Sequence, residues 1–114
     1  MAKRRERVAP PPTEGGWDFR YATSAAAVGW DKVCAAAPAN ARVAWERITV
    51  DPRQRDGRQH PLKGKLGIRV VNGTVMEQWQ YEVTGGGRLW YCIDDERRTV
   101  WLTEAMPGHP KETD

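Results

Sequence analysis

Two cysteines and two histidines are all that the 114 residues offer of those types, and so few set narrow limits on chemistry. Two cysteines cannot build a disulfide framework, so a reduced, cytoplasmic setting is expected. Cys34 falls on an apolar helical stripe, where a small buried thiol is the ordinary outcome. It stands far in sequence from Cys92, His60 and His109, and nothing has paired zinc-ligand spacing. No apolar run approaches the roughly 20 residues that span a bilayer. The basic opening "MAKRRERVAPPP" is not followed by such a run either, so neither a secretion signal nor a membrane anchor is expected. No glycine loop precedes a helix to cradle phosphates: "GGG" at 85–87 lies between strands and reads as a hairpin turn. A nucleophile elbow and a carboxylate pair for glycosidase chemistry are both missing, and "DDE" at 94–96 reads as an acidic turn. No metal or cofactor is expected.

What the chain does have is tryptophan, six of them, enough to anchor a core or to furnish a contact surface. Its length is that of one domain, which buries roughly two thirds of the surface its unfolded chain exposes. The net charge of +3 is mild but unevenly spread. Arg53, Arg55, Arg58, Lys63, Lys65 and Arg69 face only Asp51 and Asp56 within residues 51–75, a local charge of +4. Residues 76–114 carry Arg88, Arg97, Arg98 and Lys111 against eight carboxylates, a local charge of −4. The basic stretch is either a solvated loop or a surface for a polyanion.

Residues 1–16, with "APPP" and a Gly-Gly pair, read as a disordered basic, proline-rich tail ahead of one domain at 17–111. "WDFRY" alternates like a half-buried strand. "TSAAAVGWDKVCAAAP" starts with a hydroxyl cap and places Trp30, Val33, Cys34 and Ala37 at helical spacing until Pro38. Asn40 is a candidate cap for a second helix, in which Ala41, Ala44, Trp45 and Ile48 recur at i, i+3, i+4 and i+7. Two or three residues between them predict a helix hairpin. "RQRDGRQHPLKGKLG" is rich in breakers and reads as a loop. "IRVVNG", "EQWQYEV", "RLWYCID" and "TVWLT" then predict an antiparallel meander. The fold class is α+β, a strand and two helices followed by a sheet on which the helices lie.

Alternation in "RLWYCID" sends Leu89, Tyr91 and Ile93 to one face and Arg88, Trp90 and Cys92 to the other. If the former meet the helices, Arg88 opens a strand that lines a groove; the plainer alternative is that it caps the sheet or pairs with Glu82. His60 and His109 each precede a proline and are either idle surface residues or partners of Arg88. Metal-independent RNA cleavage needs a base for the 2′-hydroxyl, an acid for the departing 5′-oxygen, and cations around the phosphate. Histidine suits the first two roles through its unperturbed pKa, and arginine the third through its fixed charge and fork of donors. Arg58, Lys63 and Lys65 are candidates to hold flanking phosphates. Trp90 would stack on a base or fill a minor core.

The order strand, helix hairpin, meander, with "HPLKG" before the sheet, "GGRLWYCIDDERRTVWL" as its central hairpin and "GHPK" near the end, resembles the RelE/YoeB superfamily of bacterial toxins from toxin-antitoxin modules. It is most similar to the actinobacterial branch described as cytotoxic translational repressors, over residues 17–111. The resemblance implies a ribosome-dependent mRNA endonuclease that cuts the codon in the ribosomal A site until a cognate antitoxin, acidic or helix-turn-helix, blocks it. It puts Arg88 at the scissile phosphate, His109 at the general acid, His60 at the base and Lys63 in the basic loop. The chain departs from the family in carrying Gln78, Gln80 and Glu82 where lysines are usual, and in lacking a terminal tyrosine. A ParE-type toxin that binds DNA gyrase without cutting RNA, and an RNA-binding module without catalysis, are the alternatives.

Overall fold

The computed structural model describes residues 3–8 and 15–108. Strand β1 (Asp18–Tyr21) leads into helices α1 (Ser24–Ala36) and α2 (Pro38–Val50). Strands β2 (Gln59–Pro61), β3 (Ile68–Val71), β4 (Thr74–Glu82), β5 (Arg88–Asp94) and β6 (Thr99–Met106) follow, with a 3₁₀ turn at Gly64–Gly67.

Thr23 starts α1 because its extended backbone leaves Oγ1 to accept the amide proton of Ala26 at 3.0 Å. Pro38 does not simply stop this helix; it opens the next one. At the first helical position its missing N–H is no loss and its fixed φ is already helical, so Ala37 alone separates α1 from α2. Asn40, the expected cap, therefore lies inside α2. Its Nδ2 donates instead to the Val83 carbonyl at 3.1 Å, which ties the helix to the end of β4.

The sheet runs β1-β6-β5-β4-β2, with β3 paired to the first half of β4. The meander of β3 to β6 is antiparallel, as alternation predicts, but β1 joins β6 in parallel. The two helices supply the crossover such a pairing needs. This architecture is α+β with a mixed sheet, compatible with RelE-like topology. The basic stretch is not all loop: Gln59–Pro61 zips onto Tyr81–Trp79 as a short edge strand. Three residues are too few to show a period, and what holds them is the buried Gln59 side chain, whose Nε2 donates to the Tyr91 hydroxyl and to the Asp51 carbonyl.

Phe19, Ile48, Leu89, Tyr91 and Leu102 are fully buried between the helices and the sheet. Gly29 lets α1 lie directly on β6, because a Cβ there would run into the Ala105 carbonyl. On the other face the β3–β4 hairpin folds over a smaller cluster of Val71, Met76, Cys92 and Trp101. Burial pushes the Cys92 thiol up to about 12.

The described part of the amino-terminal stretch is not a free tail. Val8 is completely buried, its N–H donates to the Phe19 carbonyl at 2.7 Å, and Trp45 Nε1 donates to the Val8 carbonyl. Arg5 and Glu6 exchange backbone hydrogen bonds with Tyr21. One apolar side chain among charges is enough here because it enters a socket that the core already provides. Among the described residues no helix is long and apolar enough to cross a membrane.

Candidate functional site

The face of the sheet turned away from the helices is built by strand register. Leu89, Tyr91 and Ile93 join the helix-side core, so Arg88, Trp90 and Cys92 take the opposite side. There, His60 of β2 stands beside Gln80 of β4, Gln80 beside Trp90 of β5, and Trp90 beside Glu104 of β6. The adjoining row is Glu82, Arg88 and Met106. Strands about 4.8 Å apart put His60 and Trp90 roughly 10 Å from each other across the sheet. Arg88 lies two residues along β5 from Trp90, roughly 7 Å further. The two rows form one continuous strip of this face, the candidate groove. The Gly64–Gly67 turn leans over its edge, where the Leu66 carbonyl accepts from Gln78 Nε2 at 2.8 Å.

Arg88 is exposed and, among the described residues, its side chain makes no hydrogen bond and no ion pair. Glu82 is its cross-strand neighbour, yet no ion pair forms between them, so among the described residues no carboxylate occupies its fork of donors. Trp90 is half-buried and held in place by Nε1, which donates to Gln80 Oε1 at 2.9 Å. A ring fixed in this way loses little freedom when a planar partner stacks on it.

His60 is half-buried on the edge strand rather than on a loop. Its Nδ1 lies 3.1 Å from the Pro61 carbonyl. A carbonyl only accepts, so this contact is a hydrogen bond when Nδ1 carries the proton, and that neutral tautomer leaves Nε2 with a lone pair. Lys63 and Lys65 are exposed just beyond, in and before the 3₁₀ turn, with no ion-pair partner among the described residues.

Arg58 does not join this group. It turns to the helix side, where it donates to the Glu82 carbonyl at 3.1 Å and lines a cleft of about 270 Å³ with Arg47, Val43 and Tyr81. His109 lies outside the described residues, one position beyond Gly108. A Cβ on Gly108 would lie 3.1 Å from the Gly86 backbone, so the last described residue rests against the loop that leads into Arg88.

Arg69, from the basic stretch, and Glu104, to which no sequence pattern pointed, also belong to the groove. Arg69 Nη1 donates to Glu104 Oε2 at 3.1 Å, which clamps the β3–β4 hairpin to β6. Glu104 reaches this face through a bulge, where the register slips between Trp90 and Tyr91. The additional residue, Thr103, keeps its hydroxyl on the same side, 2.5 Å from Gln78 Oε1. Strict alternation would have sent Glu104 to the helices. Among the described residues no group of three or more His, Cys, Asp or Glu side chains is placed to hold a metal ion.

Comparison with protein-family models, with curated proteins and with solved structures finds no significant match.

Proposed function

We propose that the groove binds and cuts RNA, and that the chain is the toxin of a toxin-antitoxin module, a ribosome-dependent mRNA endonuclease that inhibits translation. The observation that carries this reading is the Arg88 guanidinium. It is exposed on the groove side and unpaired among the described residues, in the row next to the indole of Trp90 and the imidazole of His60.

In this reading Arg88 holds the scissile phosphate and offsets the charge that builds on its oxygens, where a lost donor costs roughly 10²–10³ in rate. His60 Nε2 takes the proton of the 2′-hydroxyl. The 2′-oxygen attacks phosphorus, the bond to the 5′-oxygen breaks, and His109 protonates the leaving oxygen. The products are a 2′,3′-cyclic phosphate and a free 5′-hydroxyl; no metal or cofactor takes part. Lys63 and Lys65 hold neighbouring phosphates and Trp90 stacks on a base. The ribosome presents the mRNA, and a cognate antitoxin, acidic or helix-turn-helix, covers the groove.

Mapping mRNA 5′ ends after brief expression tests this directly. Cuts phased with codons in translated regions, lost on Arg88→Ala while the variant keeps the native circular dichroism spectrum, are the expected result. Intact transcripts accompanied by a DNA damage response would sink the nuclease and favour a gyrase poison.

A further inference from the structure

Leu66, Ile68, Val70 and Val75, four of the large apolar side chains the fold leaves exposed, fall on one hairpin and the turn before it; Val28, Val43 and Val50 are scattered over the helices. Alternation explains the placing. Arg69 and Val71 turn inward to Glu104 and the smaller cluster, so Ile68 and Val70 turn outward, with Val75 beside Val70 across the pair. Ile68, Val70 and Val75 are each at least 60% exposed, a contiguous aliphatic row that contributes nothing to the isolated chain and marks a contact surface.

The same strand is an open edge. Asn72 and Gly73, both at positive φ, make a two-residue turn, so Val71 and Thr74 are the hydrogen-bonded pair beside it. Bonded and non-bonded pairs alternate, and the N–H and C=O groups of Ile68 and Val70 point away from β4. Other edges are closed or short. Residues 5–8 cover β1, and β2 is three residues ending in Pro61. The surroundings are basic: Lys63 and Lys65 precede the strand, and Arg4 and Arg5 line a cleft of about 280 Å³ with Val70, Val71 and Asn72, while the nearby carboxylates Glu104 and Glu77 are already paired with Arg69 and Arg53.

We infer that β3 is a docking edge for an acidic, strand-forming segment of a partner protein, whose alternating aliphatic and carboxylate side chains meet the exposed row and the flanking cations. A second copy of the chain would set Lys65 and the amino-terminal arginines near their own kind. Nucleic acid would find cations here but aliphatic side chains in place of stacking rings. The chain's own segments outside the described residues, "APPPTE" at 9–14 and "HPKETD" at 109–114, have prolines without an N–H and no aliphatic alternation. The outward face of β3 is not the face that carries Arg88, so the inference holds whether or not the chain cuts RNA.

The test is amide exchange by NMR with a short, end-blocked peptide of alternating Val and Glu. The peptide should slow exchange at Ile68 and Val70 by roughly tenfold or more, and added salt should weaken it. Val70→Pro removes an outward donor without touching the ladder to β4 and should weaken binding roughly tenfold; Val70→Glu, which repels the same peptide, serves if the proline variant does not fold. Equal binding of a Val and Lys peptide, or binding indifferent to both variants, overturns the inference. So does protection of these amides by oligouridylate in place of the peptide, or a dimer of the free chain that Val70→Pro dissolves.

Discussion

Gln59 and Tyr91 meet inside the protein: Gln59 Nε2 donates to the Tyr91 hydroxyl at 2.9 Å, and that hydroxyl donates onward to the Pro52 carbonyl at 2.7 Å. The chain of bonds anchors the segment that carries His60 to the centre of β5. Burial holds the Tyr91 phenol well above its ordinary pKa, so it remains a donor throughout the working range. Tyr91→Phe leaves the Pro52 carbonyl unpaired and Gln59 short of one partner, beside a Gln59 Oε1 that already has none. A loss of about 1–3 kcal/mol in urea denaturation is expected. Faster amide exchange in β2 than in β6 should accompany it.

If His60 takes the 2′-hydroxyl proton, His60→Gln keeps a polar side chain on β2 but removes the base. Cleavage should fall roughly 10²–10⁴-fold, with stability little changed. Glu104→Gln is the control from the same row. A larger loss there, with His60→Gln harmless, would transfer the base to Glu104.

Gly29→Ala tests the closest approach of helix to sheet. The added methyl meets the Ala105 carbonyl, which is backbone and cannot rotate away. Destabilisation of about 2–3 kcal/mol is expected, opposite in sign to the gain that alanine brings to an unhindered helix interior. A melting temperature raised by the substitution would refute the packing of α1 on β6.

Arg53 Nη2 stands 2.7 Å from both Glu77 Oε2 and Asp95 Oδ2. Its hydrogen bonds hold both carboxyls below their ordinary values of 4.5 and 3.8. A depressed carboxylate pKa contributes stability above the unfolded value, and that contribution is lost as the pH falls through the folded one. The difference between the native protein and Arg53→Met should therefore be constant near neutrality and shrink below about pH 4.5. Exposure limits it to about 1 kcal/mol, and added salt should reduce it further; denaturation curves at several pH values measure both.

Much of this fold is legible in the chain because its signals are long. Nine residues of β4 and seven of β5 give enough alternation to define a face, and α2 repeats its apolar spacing through Ile48. Short or context-dependent pieces are not legible. β2 has three residues and a proline, Val8 is a single apolar side chain among charges, and Pro38 is both a helix stop and a helix start until the turn around it is known. At the groove, the outward direction of Arg88 and Trp90 follows from alternation. Glu104 does not, because one additional residue in β6 reverses its side, and Arg58 turns away because it precedes the strand that would have directed it.

The parallel pairing of β1 with β6 also bears on how the chain is made. β6 is synthesised after every other described strand, and it sits between β1 and β5. The segment from Asp18 onward must wait for the segment from Thr99 before the sheet can close. During translation the nascent polypeptide thus has no completed centre, and its edges stay open to early capture.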